Sequence, residues 1–342
     1  LEVKMADDYV KRLSAGQTLC FEEAKDLMLG IGRGEYLPTQ VASILTSLRL
    51  RGETVDEIAG SAAAFRDLAV AVPHDIKSVV FDCCGTGGDG SGTFNISTAA
   101  AIVFASMGVA TAKHGNRAVS SNSGSADVLE ALGVKISLSP DAAARCLKET
   151  SFCFLFAPSY HPAMKHVAPV RRELGIPTLF NILGPLLNPA GCTHQIIGTP
   201  DEARARKIAE VARRIGLQNV TTFYNKQGVD ELLEGAECYL HRTSQRGIET
   251  SLLHIGNGSK PNLVALAGGS AAQNAEIIDS ILRGEKSVRR RTVVLNAAAG
   301  LWVAERFGSI DEAMAACDEA IDSGRALKTL KSVIDLTQRL GS

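Results

Sequence analysis

Residues 78–98 read SVVFDCCGTGGDGSGTFNIST, and residues 109–125 read VATAKHGNRAVSSNSGS. Ser78–Cys83 is a short apolar run of the kind that forms a buried strand. A glycine-rich loop follows, then a helix predicted from about Thr98 to Met107, then a strand at Val109–Lys113. A further helix opens near Ser125, which also reads as an N-cap, and stops at Gly133. Ser139 caps the next helix, with Pro140 at its first position, and that helix runs to about Glu149. Phe152–Ala157 is a third strand. The alternation predicts an α/β fold with a mostly parallel central sheet. It resumes at Ile196–Gly198, a helix over Glu202–Ile215 and a strand at Val220–Tyr224, and the tail from Asn296 is helical.

Upstream of Pro73 the texture is different. Cys20, Ala24, Leu27, Met28 and Ile31 share one helical face, and Val41, Ile44, Leu45 and Leu48 share another. Thr54 and Glu57 form a capping box before Ile58, Ala62, Phe65 and Ala69. Three short amphipathic helices bury little alone. They are expected to serve both as core for the rest of the chain and as a subunit interface. Residues 160–190 carry Pro162, Pro169, Pro177, Pro185 and Pro189 and are expected to be a helical crossover with tight turns.

The 342 residues are 45% apolar and 21% charged, which is ordinary globular usage and excludes disorder as the main state. A net charge of −1 gives no field that would favour nucleic acid or an anionic membrane, so neither is an expected partner. The eight cysteines show no CxxC pair or zinc spacing and read as small buried hydrophobes in a reducing, cytoplasmic setting. The opening LEVKMADDYV has no apolar signal core, and the weakly polar run Ala99–Ala112 is too short to span a bilayer.

Two loops carry the chemistry. Glycines in 85–92 allow backbone N–H groups to approach phosphate oxygens, and the helix that follows adds partial positive charge at its N-terminus. Gly85, Gly87 and Gly90 match the spacing of a dinucleotide loop, but the helix starts too late. Lys113 and His114 stand where that motif needs an acid, and no Gly-Lys-Ser/Thr of a P-loop follows. The second loop lies beside the first in a parallel sheet. It supplies Lys113 and Arg117 as cations and Ser120, Ser121, Ser123 and Ser125 as hydroxyls, a composition suited to phosphate or pyrophosphate.

Together with YHPAMKHVAPVRRELG (160–175) and FNILGPLLNPAG (180–191), these stretches resemble the anthranilate phosphoribosyltransferase family. The resemblance is close over about residues 20–200. It continues more loosely through Asp230-Glu231, Asn274 and Asn296. It implies transfer of phosphoribose from phosphoribosyl pyrophosphate to the amine of anthranilate in tryptophan biosynthesis, with Mg²⁺ as cofactor. It also implies a helical domain (1–72 plus about 162–190), an α/β domain (73–161 plus 191–342), a site in the hinge, and a homodimer through the helical domain.

By position, Gly85, Gly88, Asp89, Thr93, Asn95, Ile96, Ser97 and Thr98 match the family's first donor loop. Lys113, His114, Gly115, Asn116, Arg117, Ser120, Ser121 and Ser125 match its second. Gly85, Asn116 and Arg171 match the anthranilate positions, with His114, His161 and Pro185 nearby. Ser97, Asp230 and Glu231 match the Mg²⁺ positions, and Lys113, Arg117 and Asp89 are the candidate catalytic residues. Without that position, Asp230-Glu231 would read as an exposed acidic turn. Tyr224, Asn225 and Leu233 depart from the family's His-Gly-rich pattern before the acidic pair and its Ser-rich continuation. Ile176-Pro177-Thr178 replaces a more usual Arg-Thr. A nucleoside phosphorylase acting with inorganic phosphate, against which the intact KHGNR loop (113–117) argues, a paralogue using another aminobenzoate, and a non-catalytic paralogue that binds nucleic acid are the alternatives.

Overall fold

Four helices precede the sheet in the computed structural model, which describes residues 2–118, 122–255 and 261–341. They are α1 (Glu2–Ser14), α2 (Phe21–Arg33), α3 (Pro38–Arg51) and α4 (Val55–Asp67). The sequence predicts the last three; α1 is an addition, and its Tyr9 and Leu13 enter their common core. The expected capping box is formed at α4. Thr54 Oγ1 accepts from Glu57 N–H (3.2 Å), and Glu57 Oε2 accepts from Thr54 N–H (2.8 Å). Glu57 is only 1% exposed because it does more than cap. Its Oε1 accepts from Leu19 N–H (2.9 Å), and Arg51 pairs with its other oxygen.

The α/β layer contains β1 (Val80–Gly85), α5 (Ile96–Ser106), β2 (Ala110–Gly115), α6 (Ser125–Ala131), α7 (Pro140–Thr150) and β3 (Phe152–Phe156). A crossover follows: α8 (Ala157–Tyr160), a 3₁₀ turn at Pro162–His166, α9 (Ala168–Leu174), α10 (Phe180–Leu183) and a 3₁₀ turn at Gly184–Leu187. Then come β4 (His194–Gly198), α11 (Glu202–Arg214), β5 (Val220–Asn225), β6 (Glu237–Ser244), β7 (Gly247–His254), α12 (Ala271–Leu282), α13 (Val288–Val303), α14 (Ile310–Asp322) and α15 (Arg325–Leu340). Ser125 is the first residue of α6 rather than its cap. Asp127 caps instead, its Oδ2 accepting from Gly124 and Ala118 N–H at 2.9 Å each.

The sheet order is β3-β2-β1-β4-β5-β6-β7. The first five strands are parallel, and β6 and β7 add an antiparallel hairpin at one edge. Because β1 pairs with both β2 and β4, the strand order reverses there. Connections leave in opposite directions and open a crevice beyond the strand C-termini, where α/β sheets hold ligands. One core fills the α/β layer around α5 and α13. A second joins α1–α4 to Ala163, Val167, Val170, Leu179 and Phe180 of the crossover and to Ile208 and Val211 of α11. No helix among the described residues is long and apolar enough to cross a membrane.

Thr54→Ala should destabilise the protein by about 1 kcal/mol, the usual cost of a lost N-cap. Glu57→Ala should cost more, on the order of 3 kcal/mol, since it also strands the Arg51 charge and the Leu19 N–H. Denaturant titration of the two variants checks the order.

Candidate active site

Three parallel strands end in glycine at the crevice: β1 at Gly85, β2 at Gly115 and β4 at Gly198. The chain beyond β5 turns back over these ends and lays Asp230 and Glu231 on them. A Cβ on Gly85 would collide with the Asp230 carboxylate, and one on Gly198 with the Asp230 carbonyl. Glycine at these two positions therefore admits the acidic segment. Gly87, Gly88, Gly90 and Gly92 have φ of +68°, +72°, +69° and +65°, so the loop after β1 curls through the left-handed region.

The curled loop meets the acids directly. Gly87 N–H donates to Asp230 Oδ2 (2.7 Å), and Asp230 N–H donates to Asp89 Oδ2 (3.3 Å). Asp89 Oδ1 also accepts from Ser91 N–H (3.1 Å), and the Ser91 and Thr93 hydroxyls are hydrogen-bonded, one donating to the other (3.3 Å). At the start of α5, Ser97 N–H donates to Glu231 Oε1 (3.0 Å). Ile96 is buried beside it, and Thr98 is buried with its hydroxyl unpartnered. Below the loop, the Lys113 ammonium donates to Cys83 O (2.7 Å) and Ser97 Oγ (3.4 Å). Burial opposes the Lys113 charge, but Cys83, Asp82, Cys84 and Glu231 around it outweigh burial and raise its pKa. Burial pushes Asp230 up, with the negative charge of Asp89 adding to it; burial and the charge of Asp230 push Glu231 up.

The second loop is joined to the first through Asn95. Its Nδ2 donates to Ser123 O (3.1 Å), and its Oδ1 accepts from Asn274 Nδ2 (2.9 Å). Asn116 closes the loop by accepting from Ala126 N–H (3.2 Å) and Ser125 Oγ (3.4 Å). Arg117 is not brought to the acids. Its guanidinium pairs with Asp127 (2.9 Å) and Glu130 on α6 and lies over the Phe156 ring. The expected Ser120 and Ser121 fall outside the described residues.

The crossover reaches this end through a histidine pair. His161 Nε2 lies 3.1 Å from His114 Nε2, so one ring donates and the other accepts. Burial pushes His161 down to about 4; burial and the charge of His161 push His114 down to about 3. Arg171 stacks over Phe180 and donates to Asn181 Oδ1 (3.3 Å); it has no carboxylate partner among the described residues. The Pro185 carbonyl accepts from Gln195 Nε2 (2.9 Å). Sequence reasoning missed two residues at this junction. Asp82, a carboxylate inside the β1 apolar run, accepts from Asn188 Nδ2 (2.8 Å), and the same Nδ2 donates to Ala112 O (2.7 Å). A charged residue in a buried strand was the available signal.

The family model "glycosyl transferase family, a/b domain" matches residues 77–327, and "glycosyl transferase family, helical bundle domain" matches 7–69. The anthranilate phosphoribosyltransferase of Petrotoga mobilis is 43% identical over 340 residues, 98% of each chain. The chain belongs to the anthranilate phosphoribosyltransferase family. Solved members of the family share its fold. The Thermus thermophilus enzyme superposes with a TM-score of 0.88 at 39% identity, over 97% of this chain and 99% of that one. The Saccharomyces cerevisiae enzyme in complex with PRPP and Mg superposes at 0.88 and 28% identity, over 98% of each chain. The same yeast enzyme with 4-fluoroanthranilate gives 0.87 at 27% identity, over 99% of each.

The donor set suits a hard divalent cation: two carboxylates and the Ser97 hydroxyl, all oxygen. Among the described residues no three His, Cys, Asp or Glu side chains group to hold a metal by themselves. Mg²⁺ binds through one or two carboxylates and takes its remaining ligands from water and substrate phosphates.

Both histidines are held below their ordinary value. The stability they confer is present above pH 6.5 and is lost as pH falls from there towards about 4. His161→Gln should shrink the difference in unfolding free energy between neutral and acidic pH by on the order of 2 kcal/mol. Chemical denaturation at both pH values measures it; an unchanged difference would contradict the neutral pair.

Proposed function

We propose that the chain transfers the phosphoribosyl group of phosphoribosyl pyrophosphate to the amine of anthranilate, releasing pyrophosphate, in tryptophan biosynthesis. The observation that carries this is the meeting of Gly87, Ser97, Lys113, Asp230 and Glu231 at one sheet end. The crossover carrying an acid-free Arg171 is tied there through His161 and His114. The names of the full-length relatives support anthranilate over another aminobenzoate, and the yeast complexes support the donor and the cation.

In this reading the amine nitrogen forms a bond to ribose C1 as the bond from C1 to the pyrophosphate oxygen breaks. The nitrogen then gives up a proton. An aromatic amine is nucleophilic as the free base, so the demanding part is departure of the pyrophosphate. Backbone N–H groups of the curled loop and the Lys113 ammonium behind it stabilise the charge on the leaving group. Asp230, Glu231 and Ser97 hold Mg²⁺, whose charge offsets that of the pyrophosphate. Arg171 makes a bidentate pair with the anthranilate carboxylate. Approach of the helical domain holds the amine in line.

The proposed domains are 1–72 with about 162–190, and 73–161 with 191–342. The mixed core of α1–α4 and the crossover supports that division. Leu37 and Leu50, 64% and 82% exposed on the helical domain, support a homodimer through it. The eight free cysteines support a reducing, cytoplasmic compartment.

Anthranilate fluorescence should fall on addition of phosphoribosyl pyrophosphate with Mg²⁺ and stay constant with chelator. Constant fluorescence in both would refute the acceptor. Arg171→Ala should raise KM for anthranilate by more than about 10-fold, the scale of a lost buried charge partner, and leave KM for the donor nearly unchanged. Equal rises would remove Arg171 from the acceptor site.

A further inference from the structure

We propose that Asn225 and Asn296 are positioning residues that fix the backbone of the acidic pair from both sides before any ligand binds. The inference rests on the function proposed above. Asn225 ends β5 and is 2% exposed. Its Nδ2 donates to Val229 O (2.8 Å) and Glu231 O (3.0 Å), the carbonyls on either side of Asp230. Its Oδ1 accepts from Gln227 N–H (3.0 Å) and Val229 N–H (3.4 Å). One side chain thus closes the whole turn from β5 to the acids.

Asn296, on α13, takes the next residue. Its Oδ1 accepts from Leu232 N–H (3.0 Å), and its Nδ2 donates to Leu232 O (2.9 Å) and to Thr292 O (2.9 Å). Neither amide touches a carboxylate, so both act through the backbone. The carboxylates are left facing Gly87 and Ser97 N–H, in register with the loop. Like charges this close repel, and a free turn would let Asp230 swing out to water. The two amides oppose that motion. Groups that orient metal ligands from behind typically contribute 10- to 100-fold, as an order of magnitude, to metal affinity.

Two measurements test it. In the ligand-free parent, amide hydrogen exchange at Gln227, Val229 and Leu232 should be slow; exchange as fast as an open loop overturns preorganisation without any variant. Mn²⁺ binding in the presence of phosphoribosyl pyrophosphate, followed by electron paramagnetic resonance, should weaken about 10-fold or more in Asn225→Ala and in Asn296→Ala. Thr222→Val is the control. It loses another buried bond of β5, Thr222 Oγ1 to Ala205 O (2.8 Å), that does not touch the acidic turn, and should bind Mn²⁺ as the parent does. Asparagine variants that lose thermal stability but bind Mn²⁺ as tightly as the parent would overturn the proposal alone. A parent that binds no Mn²⁺ with the donor would overturn the proposed function, and this inference with it.

Discussion

The ammonium of Lys113 is buried to 2% exposure at the C-terminal end of the sheet, and the crevice is organised by what that burial requires. A buried ammonium needs acceptors and opposite charge. The Cys83 carbonyl and Ser97 hydroxyl supply the first, and Asp82 and Glu231 the second. The compensation overshoots. Asp82 and Glu231 surround one cation, and burial, with the charge of Asp89 acting on Asp230 and that of Asp230 on Glu231, pushes the acidic pair up. The other cation predicted for this end, Arg117, is spent on Asp127 and Glu130. An anionic pyrophosphate brought to such a place adds to the repulsion unless positive charge arrives with it.

Much of this was legible because the strand–loop–helix rhythm from Ser78 to Phe156 is local. Apolar runs of strand length, glycine clusters and capping residues carry it, and only element ends shift, as at Val80, Ile96, Ala110 and Ser125. The hairpin of β6 and β7 carries a weaker signal. It is an edge of the sheet, and β7 is largely exposed, so polar residues interrupt its apolar pattern. The site's loops were legible from composition. Their partners were not. Asp82 and Asn188 are 106 positions apart, and Asn95 and Asn274 are 179 apart, so no spacing rule links them.

The departures around the acidic pair make physical sense once the fold is known. Leu233 lies in the α/β core, and Tyr224 stacks on Tyr239 at 5.0 Å, so both serve packing beside the turn. Asn225 is different in kind. Its four polar contacts stay within residues 227–231, so its effect is confined to the segment that carries the acids.

The acceptor side obeys a constraint of its own. Val70 N–H donates to Tyr160 O (2.8 Å), and Val72 N–H donates to Pro189 O (3.1 Å), so the linker out of α4 runs beside both ends of the crossover. His74 Nε2 adds a contact to Ala190 O at 2.7 Å, and Asn188 pins the same end to Asp82. The helical domain also leans on α11 through Arg214 with Asp56 (2.8 Å) and Lys207 with the Glu53 carbonyl (2.9 Å). These contacts lie between the helical domain and α11 and restrain its approach to the α/β domain. Between the pinned ends lie residues 163–187, which carry Arg171 and Pro185. Placement of an acceptor against the donor loops depends on how that short stretch packs against α3 and α4. The same core that stabilises the helical domain thus sets the position of the arginine that would hold the substrate.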